Sequence, residues 1–225
     1  MKMNVDTTNS VTLTVDDIGD SHIMTSVDTP VRPNAFERSD EEKIDRIAKL
    51  FYGIMEELGL DLDDDSLSGT PYRIAKMYVR ELFDGLNPEN QPKLSTFDNK
   101  YAYGKMLVEK DIRVSSACEH HFLPIIGRAH IAYIAEQKVI GLSKINRIVE
   151  YYSHRPQVQE RLTLQIFHAL RTALGTDSII VVIDAEHLCV SARGVKDDHS
   201  RTATIEYGGV FEQENYRREF FDLIK

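Results

Sequence analysis

Three observations predict an α+β fold for this chain of 225 residues. Short stretches with period-two alternation, together with one continuous apolar run, read as four strands. Longer stretches with helical spacing read as helices, and the central order is two strands, two helices, two strands. That order suits an antiparallel sheet with helices on one face, preceded by a pair of helices.

Residues 1–38 mix Thr, Ser, Asp and Asn with scattered Val, include Pro30 and Pro33, and read as a mobile tail. A helical region then spans residues 39–100. Ser39 and Glu42 form a capping-box signature, and Ile44, Ile47, Ala48, Phe51, Ile54, Met55 and Leu58 recur at helical spacing up to Gly59. After the acidic loop from Asp61 to Asp65, Thr70 and Pro71 give an N-cap and a first-turn proline, with Ile74, Met77, Tyr78 and Leu82 running on to Gly85.

A domain over residues 101–225 follows. Lys105 to Ser116 alternates through Val108, Ile112 and Val114, and Gly127 to Ala135 through Ala129, Ile131 and Tyr133, so both read as strands with Cys118 in their connection. Ser143 is placed as the cap of a helix carrying Ile145, Ile148, Val149 and Tyr152, and Val158, Leu162, Ile166, Ala169 and Ala173 mark a longer helix ending at Gly175. Ile179 to Ile183 is apolar at every position, as in a strand buried on both sides. Thr202 to Tyr207 is the fourth strand, and Asn215 to Ile224 a terminal helix.

The formal charge is −9, and residues 1–65 hold 16 Asp and Glu against 6 Lys and Arg. The remainder is nearly neutral, so the basic face of a duplex-binding protein is not expected. No stretch is long and apolar enough to span a bilayer, and the first residues lack a basic region followed by an apolar run. The expected location is the cytoplasm, where two cysteines serve metal ligation better than a disulfide.

Both cysteines fall in two short clusters, Cys118-Glu119-His120-His121 and His187-Leu188-Cys189, which also hold three of the eight histidines. Cys118 and His121 lie three apart, so one turn can present both to a metal, and Cys189 can complete the set. Three thiolate and imidazole ligands suit zinc with an open fourth position, which is the catalytic arrangement. A structural site would want four ligands, and the H-x-E with P-C-x-x-C signature of base deaminases is absent. His120 and His187 flank the ligands and can move protons near neutral pH. On residue types alone, two buried cysteines beside surface histidines remain the alternative.

Ser143, Lys144 and Arg147 open one predicted helix, and two cations beside free backbone N–H groups suit a phosphate. A solvated basic surface explains the same residues. Arg193 and Arg73 are further cationic candidates. Glu160 lies opposite the apolar stripe of its own helix, facing away from the core. Neither a P-loop nor a G-x-G-x-x-G motif occurs.

From about Glu41 to Leu223 the sequence resembles GTP cyclohydrolase I. The resemblance is carried by Pro71 to Tyr78 (PYRIAKMY), Cys118 to Phe122 (CEHHF), Val139 to Arg147 (VIGLSKINR), Arg155 to Leu162 (RPQVQERL) and His187 to Gly194 (HLCVSARG). It implies the tunnelling fold, in which subunit sheets join into a barrel, and a homodecamer with sites at subunit boundaries. It further implies hydrolysis of GTP to 7,8-dihydroneopterin triphosphate and formate, the first step of pterin and tetrahydrofolate biosynthesis. By position, Cys118, His121 and Cys189 would hold Zn2+, and His120 and His187 would move protons. Ser143 would sit near the ribose, and Glu160 with Gln159 would anchor the guanine. Lys144, Arg147, Arg193 and a neighbour's Arg73 would clamp the triphosphate. Leu188 stands where the family often has an aromatic or larger polar side chain, and Arg201 adds a cation. The competing reading is a non-catalytic paralogue that keeps zinc and nucleotide for assembly or regulation, and intact His120, His187 and Ser143 argue against it.

Overall fold

The structure is a computed structural model and describes residues 26–225. The first 25 residues of the predicted tail lie outside the described residues. Its described part is anchored: Ser26 O accepts from Arg161 Nε at 3.0 Å, Arg155 reaches the Asp28 carboxylate at 3.5 Å, and Thr29 is buried.

The capping box is present. Ser39 donates its backbone N–H to Glu42 Oε2 at 2.9 Å, Glu42 N–H returns to Ser39 Oγ at 3.2 Å, and helix α1 runs Asp40–Glu57. The short helix α2 (Asp65–Ser68) leads into α3 (Thr70–Met77). Thr70 is not the cap that the sequence suggests. Gly69 precedes the helix without a side-chain bond, and Thr70 Oγ1 instead accepts from Arg73 at 3.0 Å. Nor does α3 stay α-helical to Gly85; it passes into a π-helical turn at Tyr78–Leu82 and then a 3₁₀ turn at Asp84–Leu86.

The remaining strands are β1 (Thr96–Asp98), β2 (Met106–Cys118), β3 (Pro124–Ile134), β4 (Lys138–Ile140), β5 (Pro156–Gln157), β6 (Ile179–His187) and β7 (Thr202–Tyr207). The helices are α4 (Leu142–Ser153), α5 (Gln159–Leu174), α6 (Leu188–Ser191) and α7 (Glu214–Ile224). Strands β1 and β4 form a two-stranded ribbon, and the main sheet has the order β5-β2-β3-β6-β7, antiparallel except where β5 joins β2. Ser143 is likewise not a cap: Gly141 precedes α4, and Ser143 sits inside its first turn.

Helices α4 and α5 cover one sheet face. Ile145, Ile148, Leu162, Ile166 and Leu170 pack against Val114, Ile125, Ile131, Val181 and Ile183 in one buried cluster. Each such side chain contributes about 1.5–3 kcal/mol on burial, so this layer dominates stability. Helices do not keep to that face alone. Ala132, Ile180 and Val182 on the other face are covered by Phe211 and by Phe220 of α7. Residues Ile179 to Ile183 are buried at every position, and a strand apolar on both sides must be covered on both sides. Gly127 permits the close approach of β3 and β6, because a Cβ there would meet Asp184 O at 2.2 Å. Among the described residues, no helix is long and apolar enough to cross a membrane.

Candidate active site

Strand register gathers one end of the sheet. Ala117 pairs with Pro124, Ile125 with His187, and Cys118 with Gln157. The end of β2, the start of β3, the end of β6 and the strand that leads into α5 are therefore neighbours. Cys118 is the last residue of β2 rather than part of the connection, His187 is the last of β6, and Cys189 lies in α6.

Donor atoms of Cys118, His121 and Cys189 all lie within 4.8 Å of one another. A tetrahedral zinc with bonds of about 2.0–2.3 Å needs its donors about 3.3–3.8 Å apart, so small adjustments close this set on an ion. Both cysteines are free. Burial, with Cys118 alongside, pushes the Cys189 thiol up to about 11. A dication reverses that preference by stabilising the thiolate, so the donor set fits zinc chemically as well as spatially. Three chain ligands leave a fourth position for water or substrate. Arg193 reaches His121 Nε2 at 2.6 Å, and Cys118 Sγ lies 3.5 Å from His120 Nδ1.

His187 Nε2 lies 2.7 Å from Gln159 Oε1. The Gln159 amide nitrogen is committed to Ile183 O, Thr202 O and Thr204 Oγ1 at 3.0, 2.8 and 3.1 Å. The oxygen must therefore face His187, and His187 Nε2 must carry the proton it donates. Burial holds the His187 pKa below the usual imidazole range, against an opposing pull from Glu160, so the neutral ring keeps its lone pair on Nδ1. The expectation that Gln159 joins Glu160 at the guanine is not what this geometry shows. Gln159 is 1% exposed with its amide fully used, whereas Glu160 next to it is exposed.

Two residues of this end were not singled out from the sequence. Arg161, 3% exposed, donates Nη2–H to Glu119 Oε2 at 2.7 Å and so holds the turn that carries His120 and His121. Arg161 follows Glu160 on α5, and only the register of β5 against β2 shows that it reaches Glu119.

The predicted phosphate residues are not gathered here. Asn146 on α4 bonds Glu109 Oε1 at 3.4 Å, while Arg155 O, just beyond the helix, accepts from Ser116 Oγ at 3.3 Å. Helix α4 thus runs parallel to β2, and its first turn, with Ser143, Lys144 and Arg147, lies level with Glu109 or beyond, toward the start of the strand. That turn therefore lies at the far end of α4 from Cys118, separated from it by most of the length of the helix, about 15 Å or more. Arg73 is exposed, with Nη2 donating to Ser66 O at 3.2 Å and to Thr70 Oγ1. Arg193 alone of the four cations touches the cluster, through its bond to His121.

The family model described as GTP cyclohydrolase I matches residues 47–225, which include every cluster residue. The chain belongs to the GTP cyclohydrolase I family. The GTP cyclohydrolase 1 of Flavobacterium johnsoniae is 60% identical over 211 residues, 94% of this chain and 95% of that one. The GTP cyclohydrolase 1 of Salmonella arizonae is 48% identical over 209 residues, 92% of this chain and 94% of that one. A crystal structure of the archaeosine synthase QueF-Like in the apo form superposes with a TM-score of 0.39 and 16% identity over 47% of this chain and 95% of that chain, too loosely to bear on the fold. Membership in the GTP cyclohydrolase I family makes the chain an enzyme and the cluster of Cys118, His121 and Cys189 its candidate metal centre.

Proposed function

We propose that the protein hydrolyses GTP to 7,8-dihydroneopterin triphosphate and formate in the cytoplasm, as the first step of pterin and tetrahydrofolate biosynthesis. The observation that carries this reading is the Cys118, His121 and Cys189 cluster, flanked by His120 and a His187 of fixed tautomer, in a chain of this family. Zinc held there supplies Lewis acidity and a source of hydroxide near neutral pH. His187, its Nε2–H tied to Gln159, offers Nδ1 as a base, and His120 is the second proton carrier as the imidazole ring of the guanine opens and C8 leaves as formate. Glu160 receives the guanine edge, and a carboxylate left unpaired there penalises other bases. Arg193 stands at the cluster to meet the triphosphate.

Ser143, Lys144 and Arg147 act in this reading on a substrate held at a neighbouring copy's cluster, since they open α4 at the end away from their own. Two features support such self-association into the tunnelling-fold homodecamer. The outer edges of β2 before Ala117 and of β7 have no strand partner among the described residues, and open edges pair with other chains. Leu50 and Ile54 on one stripe of α1, with Leu58 at its C-cap, are 68%, 51% and 71% exposed. In the domain division we propose, residues 39–100 form the helical region and 101–225 the catalytic domain.

The test is direct. Purified protein with GTP yields formate and, after oxidation and dephosphorylation, fluorescent neopterin, and Cys118→Ser loses zinc and turnover together. A wild type that consumes no GTP, or a Cys118→Ser variant with full turnover, ends this reading.

A further inference from the structure

We propose that Phe122 is a positioning residue for the metal ligand His121, with its partly exposed ring braced by aromatic side chains of the helical region so that the metal centre depends on that region. The inference rests on reading Cys118, His121 and Cys189 as the metal ligands.

The turn between β2 and β3 is closed by two backbone bonds: Cys118 N–H to Leu123 O and Phe122 N–H to Cys118 O, both 2.8 Å. Closing it puts Phe122 at φ +56°, one of four non-glycine residues with positive φ among the described residues. For a bulky side chain that conformation is an outlier, and it persists only where the surroundings hold it. The turn by itself asks for glycine, which takes this φ without steric cost. What phenylalanine adds is the ring.

That ring has partners. Its centroid lies 5.2 Å from Phe83 and 6.3 Å from Tyr78, the latter edge-on at 87°. Tyr78 and Phe83 are 5.3 Å apart, and Tyr78 meets Phe51 of α1 at 5.4 Å. Four rings therefore connect α1, the end of α3 and the residue beside His121, in the edge and tilted geometries that aromatic pairs favour. The π-helical turn at Tyr78–Leu82 belongs to this arrangement. A π-turn inserts a residue into the helical repeat, and without it everything downstream rotates by about 100°. Phe83, directly after the turn, would then no longer face Phe122. The opposite side of the same loop is held by Arg161 through Glu119; on the His121 side Arg193 meets the imidazole at 2.6 Å, and the ring is the restraint on the backbone that carries it.

The experiment measures zinc release from the zinc-loaded, full-length protein to a colorimetric chelator, and the urea midpoint of the zinc-free protein. Phe122→Gly keeps the backbone conformation and removes the ring. It is expected to release zinc about 10–100-fold faster, the range seen when a group supporting a ligand is lost, with the zinc-free midpoint little changed. Phe122→Tyr is expected to restore wild-type release. Should Phe122→Gly fail to fold, Phe83→Leu, which removes the ring packed on Phe122, takes its place under the same criteria. Release within twofold of wild type, with or without a lowered midpoint, overturns the proposal and leaves Phe122 a packing residue. A wild type that binds no zinc instead overturns the metal reading, so the two failures are distinct.

Discussion

Gln159 and His187 face each other at 2.7 Å, amide oxygen to imidazole Nε2, and Gln159 cannot turn over because its nitrogen serves three oxygens. Gln159→Leu removes the acceptor while nearly preserving shape, leaving His187 free to choose either tautomer. The expected result is a fall in kcat of about 100-fold, at the low end of what a placed proton-transfer group contributes, with KM for GTP little changed. Steady-state kinetics decide it. A large rise in KM at constant kcat would instead put Gln159 on the substrate.

Arg161 is buried with Glu119 as its carboxylate partner, and its Nη1 has no hydrogen-bond partner among the described residues. Glu119→Ala leaves a buried cation uncompensated and is expected to cost about 3 kcal/mol. Glu119→Gln keeps an acceptor and costs about 1 kcal/mol. Urea unfolding of the zinc-free variants measures both, and equal costs would show that the charge of Glu119 is immaterial.

His130, on the sheet face opposite α4 and α5, accepts the Asp111 N–H at its Nδ1, 3.3 Å away. Burial holds its pKa below the usual imidazole range, helped by Lys110 and opposed by Asp111 and Asp184. The unfolded chain therefore binds its proton at a higher pH than the folded one. His130 contributes stability that is complete above about pH 6.5 and lost as pH falls toward the lowered folded value. Thermal melts of wild type should drop between pH 7.5 and 5.5, and His130→Gln should drop less. An identical drop in both would assign the effect elsewhere.

Zinc at 100 times its dissociation constant should raise unfolding free energy by about 2.7 kcal/mol, since the site's three ligands come together only in the folded chain. Cys189→Ser should lose most of that gain. Melts with zinc and with a chelator measure it, and a full gain in Cys189→Ser would exclude Cys189 as a ligand.

What could be read from the sequence was whatever is decided locally or by residue type. The capping box of Ser39 and Glu42 is closed within four positions. The run at Ile179 to Ile183 announced a strand covered on both sides, although the helix on its second face, α7, was not assigned there. Scarcity of cysteine pointed to Cys118, His121 and Cys189. What depends on register stayed hidden. Gln159 and Glu160 are adjacent in sequence and turn opposite ways, Arg161 finds Glu119 only through the pairing of β5 with β2, and the distance from Ser143 to Cys118 follows from the direction of α4 along β2. Thr70 and Ser143 have the chemistry of helix caps, but each helix begins one or two residues earlier, after a glycine.

The ligands come from opposite sides of β3: Cys118 and His121 from the end of β2, Cys189 from beyond β6. A nascent chain that has formed only the β2–β3 hairpin can offer an ion two donors, and tight binding must wait until β6 has docked. Sheets built from such distant pairings assemble slowly. An ion held at this site would therefore favour the sheet with β6 in place over any β2–β3 hairpin intermediate, tying metal uptake to the docking of a strand that begins only at Ile179.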